Sequence, residues 1–137
     1  MSWFVFIHPI WQLIALYFGI KTLAIGFGRA QTWTFPIRKH RVLGLFFITM
    51  SIVGSVIGGQ VNLALAKISE PIVLPGHRLL AYLIIGFIIL ITISGFIRQA
   101  HSHRLRWLQA LHGWFGVLAL GLIFAQLFIV VAKLLNW

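Results

Sequence analysis

The sequence predicts an all-α integral membrane protein: a four-helix up-down bundle that forms one transmembrane domain over residues 1–137. Three observations predict this class. Hydrophobic side chains make up 61% of the residues and charged ones only 9%, against roughly 45–50% and about 25% in soluble domains. The mean hydropathy is +1.02. The apolar residues also fall into four long windows free of Asp, Glu, Lys and Arg.

Each window is close to or longer than the ~20 residues that a helix needs to cross ~30 Å of hydrocarbon. The windows are Met1–Ile20, Val42–Ala66, Leu79–Ile97 and Trp107–Ala132. The predicted spans are approximately residues 4–25, 38–66, 77–97 and 105–133. A membrane β-barrel is not favoured, because the windows are about twice the length of a ~10-residue barrel strand and lack its alternation. The first window lacks the basic start and small-residue cleavage site of a signal peptide, so we expect it to remain as a span.

Three polar connections separate the spans. The first, Gly26–Lys39, contains Pro36, which suits the first turn of the second helix. The second, Lys67–Gly76, ends in a Pro-Gly pair directly before a histidine, and the third, Arg98–Arg106, is short and basic.

The positive charges concentrate on two of these connections. The chain has eleven Lys and Arg and one acid, Glu70, which gives a net charge of +10. Eight of the cations flank the first and third connections: Lys21, Arg29, Arg38, Lys39, Arg41, Arg98, Arg104 and Arg106. The other side carries Lys67, Arg78 and Lys133. Because Lys and Arg accumulate on the cytoplasmic side, we expect both termini on the non-cytoplasmic side. Nucleic acid is not an expected partner, since too little polar surface remains for an aqueous groove.

Composition also excludes several kinds of site. The absence of cysteine excludes disulfides, iron–sulfur clusters, thiolate zinc and covalently attached c-type haem. A single carboxylate excludes a paired-carboxylate hydrolase, an EF-hand and a two-metal centre. The remaining candidates for chemistry are six histidines.

Four of the histidines lie near the start of a different span: His8, His40, His77 and His112. Successive helices run in opposite directions, so His8 and His77 are expected near the outer face, and His40 and His112 near the inner face. Helices one and three are diagonal in an up-down bundle, as are two and four. Two neutral imidazoles opposed across a bundle are what a bis-histidine b-type haem requires. The sequence therefore predicts that His8/His77 and His40/His112 ligate haem iron, with one haem or two.

Other interpretations of the histidines stay open. A single histidine near a membrane interface more often caps a helix or contacts headgroups. Pro9 disfavours helical geometry for His8, which could precede the first turn. His101 and His103 lie in the basic third connection and are expected to be solvated, although either could replace His40 or His112.

Residues beside the histidines extend the predicted haem site. Gly44 and Gly116 lie one turn after the inner histidines, where a small residue lets a flat porphyrin approach the backbone; ordinary helix packing explains them equally well. Arg41 and Arg78 directly follow a histidine and are candidates for haem propionates, or for lipid phosphates. With no carboxylate to spare, the second ring nitrogen of each ligand must donate to a backbone carbonyl, Ser, Thr, Gln or water.

The motifs around the histidines resemble the core of the cytochrome b-561 family, and most of all its small cyanobacterial and plastid relatives of unknown function. The matching pieces are His8-Pro9, Lys39-His40-Arg41 with Gly44, Pro75-Gly76-His77-Arg78, and Leu111-His112-Gly113 with Gly116. The resemblance covers nearly the whole chain and implies haem b and transmembrane electron transfer. Members of the family have six helices, where this chain has four predicted spans.

We therefore expect a b-type cytochrome of a bacterial inner membrane or thylakoid membrane, acting as a homodimer or as a subunit or partner of a larger redox or photosynthetic complex. No flavin or nicotinamide motif is present, so an electron carrier is favoured over a stand-alone enzyme. Its expected partners are redox proteins or a quinone, and the enzyme activities left open are quinone and ferric-ion reduction. Two other classes remain as alternatives: a haem-free accessory or assembly subunit, and a chlorophyll-binding subunit.

Overall fold

A computed structural model describes residues 6–28, 35–68, 76–100 and 106–135, and these residues form four α-helices. The helices are α1 (Ile7–Gly28), α2 (Ile37–Ile68), α3 (His77–Ala100) and α4 (Arg106–Leu135). Each contains a segment long and apolar enough to cross a membrane: Ile7–Gly28, Ile37–Lys67, His77–Ile97 and Trp107–Lys133. The prediction of an all-helical chain with four such helices is confirmed for the described residues.

The outer surface of the helices is apolar. Large hydrophobic side chains are widely exposed, among them Phe128 at 74% and Phe96 at 70%. A soluble monomer rarely exposes large contiguous apolar patches, whereas lipid is the natural environment for such a surface. The protein is therefore an integral membrane protein.

Proline and glycine set the beginnings of three helices. Pro9 falls in the first turn of α1, where its missing N–H costs no helix hydrogen bond, so His8 lies inside the helix rather than before it. Pro36 directly precedes α2, and its carbonyl accepts the His40 N–H at 3.0 Å. Gly76 precedes α3 with φ of 78°, a left-handed conformation that glycine adopts without steric cost.

The helices form two closely packed pairs, called here the first helix pair (α1 and α2) and the second helix pair (α3 and α4). The two pairs meet mainly through α1 and α4, and α2 contacts α3 much less. In the first pair, the Trp11 indole N–H donates to the Met50 carbonyl at 2.9 Å, while Gly26 lies against His40. Residues early in α1 thus contact the middle of α2, and residues late in α1 contact its start.

A small apolar core joins the two helix pairs at mid-height. Its buried members come from all four helices: Leu16, Phe47, Ile84, Ile88, Ala119, Leu120 and Ile123. Gly19 lets α1 approach this core closely, because a Cβ there would lie 2.5 Å from the Leu120 side chain and 2.9 Å from Phe47. The four span histidines lie on either side of this core, toward the two ends of the bundle.

Candidate functional site

The four span histidines form two pairs, one toward each end of the bundle. The ring centroids of His8 and His77 are 6.2 Å apart, with an interplanar angle of 87°. Those of His40 and His112 are also 6.2 Å apart, with an angle of 62°. Each pair joins one histidine of the first helix pair to one of the second. The structure thus brings together the partners that the sequence predicts.

The distance between the ring centroids equals the span expected when two imidazoles bind one metal ion. An imidazole nitrogen binds a metal such as zinc at about 2.0–2.1 Å, so two such bonds in line, plus about 1.1 Å from each nitrogen to its ring centre, span about 6 Å. Two rings on one axis can take any rotation about it, so angles of 87° and 62° are both compatible with this arrangement. The centroid distance in each pair is therefore of the size that one shared ion requires.

In three of the histidines, Nδ1 is held by a backbone carbonyl of the neighbouring helix. The bonds are His8 to Gly54 at 2.9 Å, His40 to Thr22 at 3.1 Å and His112 to Ile91 at 3.1 Å. The Ser94 hydroxyl also lies 3.1 Å from His112 Nδ1 and donates to the Ile91 carbonyl. A carbonyl only accepts, so Nδ1 carries the proton and Nε2 keeps its lone pair for a ligand. The predicted use of a carbonyl in place of a carboxylate is confirmed for these three.

A glycine of the same neighbouring helix lies against each of these three rings. A Cβ on Gly58 would lie 2.7–3.0 Å from the His8 ring. A Cβ on Gly26 would lie 3.5 Å from His40 Cε1, and one on Gly95 would lie 3.4 Å from His112 Cε1. In each case the glycine comes about one helical turn after the residue whose carbonyl accepts the Nδ1 proton. Carbonyl and glycine together form a floor that fixes the ring.

A constant interval along the chain connects these features, and the sequence prediction did not include it. In three helices a glycine follows the histidine at the same interval: His8 and Gly26, His40 and Gly58, His77 and Gly95. The interval is about five turns at ~3.6 residues per turn, so the histidine and glycine share one helix face. When two such helices pack in opposite directions, each supplies the glycine that the other's histidine needs.

His77 departs from this pattern. Its Nδ1 is buried and has no hydrogen-bond partner among the described residues. The helix packed against it, α4, carries Gln126 and Val130 at the positions, counted from its own histidine, where α2 carries Gly54 and Gly58. The Gln126 amide instead donates to the His77 backbone carbonyl at 2.8 Å. The two histidine pairs are therefore not equivalent.

The remaining predicted site residues lie around the pairs. A Cβ on Gly44 would lie 3.5 Å from Thr22 Cγ2, and one on Gly116 would lie 3.8 Å from Leu23, so both glycines face α1 at ordinary contact distance. Arg41 and Arg78 are exposed. The two histidines of the third connection, His101 and His103, lie outside the described residues.

The two histidine pairs are far apart along the bundle. The His8 ring contacts α2 at Gly54 and Gly58, which lie about four to five turns beyond His40. At ~1.5 Å per residue this separation is about 21–27 Å. The hydrocarbon of a bilayer is ~30 Å thick. The spacing therefore matches two sites a few ångströms inside opposite membrane faces.

Comparison with known proteins adds no relative. No family model, curated protein or solved structure matches this chain. The interpretation of its function depends on the histidine geometry.

Proposed function

We propose that this protein is a di-haem b-type cytochrome that carries electrons across a membrane. The observation that carries the proposal is the pair of 6.2 Å ring separations, each between histidines of different helix pairs. His8 with His77 would hold the iron of one haem, and His40 with His112 would hold the iron of the other. A resemblance to the cytochrome b-561 family implies the same cofactor, but no family model matches the chain, so the proposal depends on the histidine geometry.

The donor set fits haem better than a bare metal ion. Two imidazoles are too few for a closed protein metal site, which takes about four ligands for zinc and more for calcium. Among the described residues, no group of three or more His, Cys, Asp or Glu side chains could hold an ion. A porphyrin supplies the missing ligands itself. The helices α2 and α3 contact each other much less than α1 and α4 do, which favours this side of the bundle for such a flat group.

The proposal includes a direction across the membrane. Contacts between early residues of α1 and late residues of α2, as between His8 and Gly58, support an up-down bundle. Eight of the eleven Lys and Arg residues flank the first and third connections, so these connections would be cytoplasmic and both termini outside. The His40/His112 site would then lie near the cytoplasm and the His8/His77 site near the outer face, in a bacterial inner or thylakoid membrane.

Haem b, when bound, supplies one-electron chemistry between ferrous and ferric iron. The chain supplies fixed ligands: the carbonyls of Gly54, Thr22 and Ile91 hold three imidazoles in one tautomer and one orientation. Rings that are already fixed need little movement when the charge at the iron changes. The buried apolar core at mid-height keeps water out of the space between the two sites.

Electrons must enter and leave through partners. An open surface groove of about 430 Å³ lies at the start of α2, lined by Pro36, Arg38, Lys39, Val42 and Leu43. Its almost wholly apolar lining would suit the ring of a quinone. A quinone or a redox protein would exchange electrons there. The protein would act with such partners, as a homodimer or in a larger complex, rather than as an enzyme alone.

The test is the haem content and spectrum of purified protein from haem-replete cells. We expect two b-type haems per chain by pyridine haemochrome assay, with a reduced-minus-oxidised α band. Absence of a Soret band would overturn the proposal in favour of an accessory subunit. Extractable chlorin with red absorption would overturn it in favour of a chlorophyll-binding protein.

Paired substitutions test the assignment of ligands. His40→Ala and His112→Ala should each alter the same haem, and the double variant should alter no more haem than either single one. His8→Ala should alter only the other haem. His101→Ala is the control and should leave both spectra unchanged. Loss of the inner haem in the His101→Ala protein would show that this residue replaces a proposed ligand.

A further inference from the structure

One of the four proposed ligands, His77, is held differently from the other three. It is the first residue of α3 and follows Gly76, whose φ of 78° places a flexible residue at the helix start. Its buried Nδ1 has no partner among the described residues. Val130 stands where the pattern of the other helices places a glycine floor. His8, on the opposite side of the same site, has both a carbonyl and a glycine.

These differences act on the strength of the ligand. A hydrogen bond from the second ring nitrogen raises the basicity of a histidine ligand and fixes its orientation, and its loss costs about 10–100-fold in metal affinity. In addition, a buried N–H without an acceptor regains a hydrogen bond when the ring swings out toward the headgroup layer. Both effects favour release of His77 over release of His8, His40 or His112.

Resting on the proposed function, we propose that His77 is an exchangeable ligand and that the His8/His77 site binds a small neutral diatomic ligand in its place. The step is a substitution. The bond from the metal to His77 Nε2 breaks, a bond from the metal to the diatomic ligand forms, and no electron is transferred. His77 leaves as the neutral imidazole, with its proton still on Nδ1. The metal stays anchored by His8.

The other pair is an internal control. His40 bonds to the Thr22 carbonyl and His112 to the Ile91 carbonyl, and both rings contact a glycine of the neighbouring helix. In both rings Nδ1 already has an acceptor, so release of the ring would gain no hydrogen bond. The His40/His112 site should therefore stay closed to added ligands.

Carbon monoxide is the probe. We expect dithionite-reduced protein with two haems to bind one carbon monoxide per chain, seen as a Soret shift of about half of the haem. In the His77→Ala variant, the carbon monoxide concentration that half-saturates this haem should be lower by roughly tenfold or more, since the competing imidazole is gone. The His8→Ala variant should lose the reactive haem and keep an inert one.

The outcomes separate the two proposals. Protein that carries no haem overturns the proposed function, and this inference with it. Protein with two haems that are both inert to carbon monoxide overturns only the exchange of His77. Binding at the haem that persists in the His8→Ala variant overturns it as well, because the reactive site is then the His40/His112 site.

Discussion

The substitution Gly58→Ala is a sharp test of the glycine floor under His8. The new Cβ would lie 2.7 Å from Cε1, 2.8 Å from Nδ1 and 3.0 Å from Nε2 of that ring. Ordinary contact between such atoms begins at about 3.4 Å, so Nδ1 of the ring must retreat by roughly 0.6 Å. Its bond to the Gly54 carbonyl, now 2.9 Å, would lengthen to about 3.5 Å, beyond the range of a hydrogen bond.

Loss of that bond should weaken haem binding at one site only. A cost of about 10–100-fold in affinity is typical for the loss of such a partner, and this corresponds to about 1.4–2.7 kcal/mol. With limiting haem, we expect the haem content of Gly58→Ala protein to fall from two per chain toward one. A potentiometric titration should lose the component assigned to the His8/His77 site and keep the other.

The next residue supplies a matched control. A Cβ on Gly59 would meet nothing within 4 Å. Alanine gains up to about 1 kcal/mol over glycine in a helix at both positions, so a difference between the two variants cannot come from helix propensity. Gly95→Ala, at 3.4 Å from His112, should have a much smaller effect than Gly58→Ala. Equal haem content and equal spectra in the Gly58→Ala and Gly59→Ala proteins would refute the role of the floor.

Two further predictions concern the core and the inner pair. Gly19→Ala should destabilise the fold by about 1–3 kcal/mol in a denaturation series in detergent, because its Cβ would lie 2.5 Å from a leucine side chain. Gly121→Ala, with nothing within 4 Å, should not, and equal stability of the two would contradict the packing. Ser94→Ala removes a hydroxyl 3.1 Å from His112 Nδ1 but leaves the Ile91 carbonyl, so both haems should stay bound while the midpoint potential of one shifts. Release of that haem would show that the hydroxyl, rather than the carbonyl, is the essential acceptor.

The number of helices and the pairing of the histidines could be predicted from the sequence. Four windows free of charge set the helices, because length and apolarity alone decide whether a segment can cross a membrane. The pairing of His8 with His77 follows from their depth in the membrane. Successive spans run in opposite directions, so the histidines at their starts lie alternately near one face and the other. In an up-down bundle, helices one and three are diagonal neighbours, which leaves these two histidines as partners.

The supports of the histidines could not be predicted in the same way. The acceptors for Nδ1 are backbone carbonyls, of Gly54, Thr22 and Ile91, and every residue type has a carbonyl. The sequence predicts glycines one turn after a histidine on its own helix, whereas Gly58 contacts a histidine of the neighbouring helix. Finding it requires the register between α1 and α2, which composition does not contain.

The interval of five turns explains why one position can make the two sites unequal. Each helix places a histidine at one end and, about five turns later, the residue that will lie under its neighbour's histidine. In α4 this position holds Val130, so the departure from the pattern falls on His77 and on none of the other three histidines. Its effect is confined to the site that contains His8, because the His40/His112 pair takes both glycines from α1 and α3. A chain with four glycines in this register would hold all four imidazoles alike, whereas here His77 alone of the four has a buried Nδ1 without a partner among the described residues.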